Sequence, residues 1–189
     1  MNIGQLKTKV ADWLDRTDLD SQIGDFVELA AQRIYRTART PTNERLLAGT
    51  ASGGKFEIPQ QFIAVRWVQA NDVTLTAAPG SEVYPDLAGQ PQFYGRVGDQ
   101  IWFYPRQTTD FVMSYFVIED FQADTDEPAL LQVATDAFLY GALVEAAPYL
   151  QDDQRLAVWE SKYQLAMGTL KVAADDADLG DVVAIRSVQ

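Results

Sequence analysis

The sequence predicts an α+β protein: a helical bundle, made of two N-terminal helices plus a long C-terminal helical hairpin, with an inserted antiparallel β domain and an extended C-terminal tail. Three observations carry this. Apolar residues recur at helical steps as far as Ile34, alternate with other residues between Phe56 and Val117, and return to helical steps from Leu130. A glycine- and serine-containing stretch, LLAGTASGGKF, lies between the first two regimes, and Thr125-Asp126-Glu127-Pro128 lies between the last two. Beyond Asp175 neither period persists. The expected divisions are 1–48 for the N-terminal helices, 49–122 for the β insertion, 123–174 for the helical hairpin that completes the bundle, and 175–189 for the tail.

In the first helix Ile3, Leu6, Val10, Trp13 and Leu14 share a face, and Asn2 with Gln5 stand as an N-cap and its reciprocal partner. Asp18, Asp20 and Ser21 offer caps for a second helix, whose apolar stripe is Ile23, Phe26, Val27, Ala30 and Ile34. Arg33, Arg36 and Arg39 favour its carbonyl end, and Pro41 stops it. LLAGTASGGKF reads as a flexible linker. Strands follow at Phe56 and Ile58, at Ile63, Val65 and Trp67, and at Val73 and Leu75 across an Asn71-Asp72 turn. A hairpin pairs residues 93–97 with 101–104 across Gly98-Asp99-Gln100, and Phe111, Met113, Tyr115 and Val117 alternate in a last strand.

The acidic cap before Pro128 opens the third helix, where Leu130, Leu131, Ala134, Phe138, Tyr140, Leu143 and Val144 cover most of the circumference. Such a helix sits in a core or an oligomer interface. It stops near Pro148, and Leu156, Trp159, Tyr163, Met167 and Leu170 stripe the final helix. The tail holds Asp175, Asp176, Asp178 and Asp181 around Gly180, then Val182, Val183, Ile185 and Val188, which it cannot bury alone.

Composition narrows the chemistry. A chain of 189 residues, 47% hydrophobic and 11% aromatic, has enough apolar surface for a sizeable core. Without cysteine it has no disulfide or thiolate chemistry, and without histidine it lacks the commonest general base and zinc ligand. The net charge of −12 disfavours tight DNA binding, although an acidic wall lets a polyanion slide past. The N-terminus has no apolar core of the signal-peptide kind, and no segment is apolar enough to cross a bilayer, so the expectation is a soluble protein made in the cytoplasm.

No catalytic, cofactor-binding or metal-ligating residue is assigned. Gly49-Thr50-Ala51-Ser52-Gly53-Gly54-Lys55 has the spacing of a phosphate-binding loop, but Phe56 replaces the metal-holding hydroxyl and a strand, not a helix, is expected to follow. Asp15, Asp18, Asp20 and Asp25 cluster without the glycine and glutamate of a calcium loop, and helix capping explains them. Glu119 with Asp120, and the acids at 124–127, have no spacing diagnostic of glycoside hydrolysis. Arg33, Arg36 and Arg39 are candidates for touching DNA phosphate or an acidic patch on a partner, beside their service to the helix dipole. Phe93-Tyr94 and Trp102-Phe103-Tyr104 suit the packing of a small β domain better than ligand stacking.

A set of packing and turn residues, in order, resembles the head-to-tail adaptors of tailed phages, also called connector, head-completion or tail-tubular proteins. They are Ile58-Pro59-Gln60-Gln61-Phe62, Gly89-Gln90-Pro91-Gln92-Phe93-Tyr94, Val97-Gly98-Asp99-Gln100-Ile101, Tyr104-Pro105 and Ser114-Tyr115-Phe116. The hairpin FLYGALVEAAPYL at 138–150, then Gln151-Asp152-Asp153, Trp159 and Tyr163, completes the set. The resemblance implies a structural virion protein of the neck, not an enzyme and without cofactors. Its partners would be the portal protein, further copies of itself in a generally dodecameric ring, and a tail or nozzle protein below. Packaged DNA would pass through the lumen without specific binding. The resemblance also implies that the tail, with Val182, Val183, Ile185 and Val188, reaches onto the portal or a neighbouring subunit. The alternatives are another minor tail or baseplate protein, or a cellular ligand-binding module.

Overall fold

The computed structural model describes residues 1–16, 18–78, 89–121, 123–150 and 154–186, with side chains as far as Ala177. The chain forms two compact units, a helical one from Met1–Asn43 and Ile118–Gln189, and a β unit from Glu44–Val117.

In the helical unit, α1 (Ile3–Leu14) starts with the expected capping box, Asn2 accepting from the Gln5 backbone N–H and Gln5 returning the bond to the Asn2 N–H. Two further N–H groups of its first turn, which no intrahelical carbonyl can satisfy, reach across the chain: Ile3 donates to Asp126 O at 3.0 Å and Gly4 to Asp124 O at 2.9 Å. Gly4 favours that approach, since a Cβ there would lie a tight 3.1 Å from Asp124 Cβ. α2 (Asp20–Thr37) differs from expectation at its start. Its N-cap is Leu19 with no side-chain cap, because Asp18 is taken by Arg16 and the Ser21 hydroxyl turns to Gln22.

The expected continuous third helix is three pieces, α3 (Ala129–Val133), α4 (Thr135–Glu145) and α5 (Ala147–Leu150). The Thr135 hydroxyl donates to Leu131 O at 2.8 Å and so takes the carbonyl that a continuing helix would bond through its backbone. Pro148 lacks an N–H and its ring would meet the carbonyl of Val144, so α4 ends before it. The cap of α3 also differs: Pro128 is its N-cap, and Glu119 Oε2 accepts from the Leu130 N–H at 3.1 Å while the Tyr35 hydroxyl donates to the same oxygen at 2.9 Å. Asp126, one of the acids in the expected capping stretch, instead receives the Ala123 N–H.

α4 packs against α1, α2 and α6 (Leu156–Arg186). Ala137, Phe138, Leu139, Gly141, Ala142 and Leu143 are all buried, the all-round burial that its sequence demands. Trp159 and Tyr163 of α6 are 4% and 2% exposed.

The extended tail is corrected by this helix: α6 runs on to Arg186, through the acids, Gly180, Val182, Val183 and Ile185. Extending an existing helix adds one hydrogen bond per residue fixed, and alanines and Leu179 favour it. A single interior glycine costs only about 1 kcal/mol against that. Val188 lies outside the described residues.

The β unit has strands β1 (Glu44–Ala51), β2 (Lys55–Glu57), β3 (Phe62–Ala70), β4 (Val73–Thr74), β5 (Thr76–Ala77), β6 (Phe93–Val97), β7 (Gln100–Tyr104) and β8 (Thr109–Val117). They form sheets in the orders β1-β8-β3-β4 and β2-β7-β6-β5. Two corrections arise. The expected linker is largely β1, which pairs with β8 along its whole length from Glu44↔Phe116 to Ala51↔Thr109. The expected purely antiparallel arrangement has one parallel pair, β5 with β6. The sheets share a core in which Phe56 stacks on Phe111 at 4.0 Å and meets Phe103 edge-on at 5.6 Å. Asn71 and Asp72, at φ 48 and 63, make the β3–β4 turn, two left-handed residues that asparagine and aspartate tolerate.

Candidate functional site

The motif spaced like a phosphate loop spans the end of β1, a tight turn and the first residue of β2. Its donors are directed inward: the Gly53 N–H to Thr108 Oγ1 at 3.0 Å, the Gly54 N–H to Ala51 O at 3.3 Å and the Lys55 N–H to Ser52 O at 3.3 Å. Gly54 lies so close to Arg106 that an added Cβ would be 2.8 Å from its Cα. That backbone is a packed hairpin end. Two of the carboxylates, Asp18 and Glu119, are likewise engaged in structure. Asp18 is held below its usual range by the hydrogen bonds from Arg16, and Glu119 ties α2 to α3 as described. Among the described residues no group of acids is placed to hold a metal ion.

The candidate arginines separate. Arg33 turns inward, its Nη1 at 3.2 Å from Glu145 Oε1, its Nη2 at 3.7 Å from Glu160 Oε1 and its guanidinium 4.7 Å from the centre of the Tyr163 ring. It fastens α2 to α4 and α6. Arg36 is exposed and its Nε donates to Gln32 O, and Arg39 is exposed beyond the helix end. Val182, Val183 and Ile185 are placed on α6. In the β unit Phe103 is in the core, whereas Trp102 lies on the outer face under Arg106, 4.2 Å from ring centre to guanidinium carbon.

What the sequence reading missed lies on the surface of α6. Val158, Leu165 and Val172 recur every seven residues and are 59%, 66% and 59% exposed. They form a seam on the side away from Trp159 and Tyr163. The signal was legible as a second period laid over the first. On a different face of α6 from the seam runs a groove of about 400 Å³. Thr40, Pro41 and Thr42 wall one side, Val133, Ala134 and Asp136 at the α3–α4 break another, and Ala166, Leu170, Ala173 and Ala177 of α6 the floor. The wall is fixed, because the buried Asn43 Oδ1 accepts from both the N–H and the hydroxyl of Thr40 at 3.0 Å.

The polar groups described hold the chain's own elements together, while large apolar side chains remain on a long helix. The chain belongs to the SU10 adaptor protein family, whose sequence profile matches residues 1–186. It is a phage adaptor, a structural component of the virion in a family associated with portal and tail proteins. No curated protein matches it. Among the described residues no helix is long and apolar enough to cross a membrane.

Proposed function

We propose that copies of this chain form a dodecameric ring in the neck of the virion, between the portal and the tail, which seals the joint and continues the DNA channel. The observation that carries this reading is the family match over almost the whole chain, helices and strands alike. The exposed seam of α6 supports it, since a lone apolar stripe on a long helix is stabilised by contact with another subunit or partner. The net charge of −12 suits a lumen wall past which DNA moves without being retained.

The test is electron microscopy of the protein mixed with the portal protein of the same phage. The expected particle is a closed ring coaxial with the portal. Isolated copies bound off the axis, or no binding, would overturn the proposal.

A further inference from the structure

Resting on the ring reading, we infer that the groove between Thr40–Thr42, the α3–α4 break and α6 receives the Val158/Leu165/Val172 seam of a second copy of this chain, a head-to-tail contact between neighbours. One molecule carries both halves of that contact, and both belong to the same helical unit. The groove is apolar and stiff-walled, with Val133 65% exposed on its rim. The seam offers branched side chains at the spacing that keeps them on one face of a helix.

Charge favours a second copy as the occupant. A chain of net charge −12 repels itself unless opposite charges meet locally. Exposed Arg36 and Arg39 lead directly into the Thr40–Thr42 wall, and exposed Asp175 and Asp176 follow Val172 on the seam. A neighbour's Val172 seated in the groove therefore brings its acids toward these cations. One acid, Asp136, lines the groove itself, and its Oδ1 receives the Ala137 N–H at 2.9 Å. Because knob and groove occupy different faces, the contact is heterologous and propagates from copy to copy, as ring closure requires.

The absence of cysteine makes the test clean. Val133→Cys and Val172→Cys are made as separate single variants, both at exposed positions, assembled with the portal protein alone or mixed, and joined by a short bis-maleimide. Cross-linked dimers are expected from the mixture and not from either variant alone. A ring that forms while the mixture gives no cross-link overturns the contact and leaves the ring reading standing. Dimers from Val172→Cys alone would show a two-fold contact and overturn it as well. A protein that forms no ring in any mixture overturns both. In parallel, Leu165→Glu with Val172→Glu is expected to abolish ring formation with an unchanged thermal midpoint, and normal rings from this variant would overturn the contact.

Discussion

The backbone of Gly141 in α4 lies against the ring of Tyr163 in α6, such that a Cβ there would stand 3.2 Å from Tyr163 Cε2 and 3.1 Å from the Cβ of Ala30 in α2. Three helices meet at one residue, and a larger side chain there would force one of them to give. Gly141→Leu is therefore expected to lower stability by about 1–3 kcal/mol through overpacking. Urea unfolding followed by circular dichroism reads this directly. A midpoint equal to that of the parent would mean the helices can part at no cost.

The two tryptophans of the helical unit should respond differently. Trp159 is 4% exposed with Arg155 stacked 4.9 Å from its ring, and Trp159→Ala is expected to cost about 3–5 kcal/mol. Trp13 is 45% exposed and meets Tyr140 edge-on at 5.6 Å, so Trp13→Ala should cost nearer the 0.5–1.5 kcal/mol of an aromatic pair, about a third as much. Equal losses would contradict the burial.

Alkaline pH should loosen the same junction. Burial pushes the Tyr163 phenol above its ordinary 10.0, Glu145 and Glu160 add to this, and Arg33 opposes it. A folded-state value above the unfolded one means that the contribution is intact below about pH 10 and is lost as pH rises through the raised value. Tyr163→Phe should flatten this alkaline fall. Arg33→Gln should raise the phenol further, as read by phenolate absorbance. A Tyr163 titration at or below the ordinary value would refute the assignment.

At the hairpin end of the β unit, neighbouring glycines separate strain from space. Gly53, at φ 59, has nothing within 4 Å of an added Cβ, so Gly53→Ala carries only the left-handed penalty of about 1–2 kcal/mol. Gly54, at φ 76, carries a similar penalty and in addition faces Arg106 Cα at 2.8 Å. Gly54→Ala should be clearly the worse of the two by limited proteolysis of β1. The reverse order would show that Arg106 yields.

Local signals were the legible ones. The α1 capping box and the α2 stripe depend on residues within a turn or two, and Asn2, Gln5, Ile23 and Phe26 announce them in sequence. β1 was not legible, because its stretch 46–51 has no alternation and owes its form to β8, more than fifty residues on. The role of Arg33 was hidden for a related reason, since Glu145 and Glu160 are distant in sequence and converge only on folding. Asp175 and Gly180 suggested a loss of helix, yet a helix already nucleated around Trp159 carries through them. The strong Trp159–Tyr163 stripe masked the second spacing of Val158, Leu165 and Val172. The family became visible from turn and packing residues in order, none of which is chemically distinctive.

The hydrogen bonds from Ile3 and Gly4 to Asp126 and Asp124, like that from Gln132 to Met1, impose a timetable on biosynthesis. The β unit is one contiguous stretch and meets all its partners as soon as it leaves the ribosome. The first two helices emerge earlier and can touch each other, yet their main partner, α4, appears only about a hundred residues later. At roughly 5–20 residues per second, that leaves Phe26, Val27 and Ile34 uncovered for on the order of ten seconds. The nascent chain is thus most vulnerable to aggregation at its beginning, and chaperones that capture it should hold α2 rather than the strands.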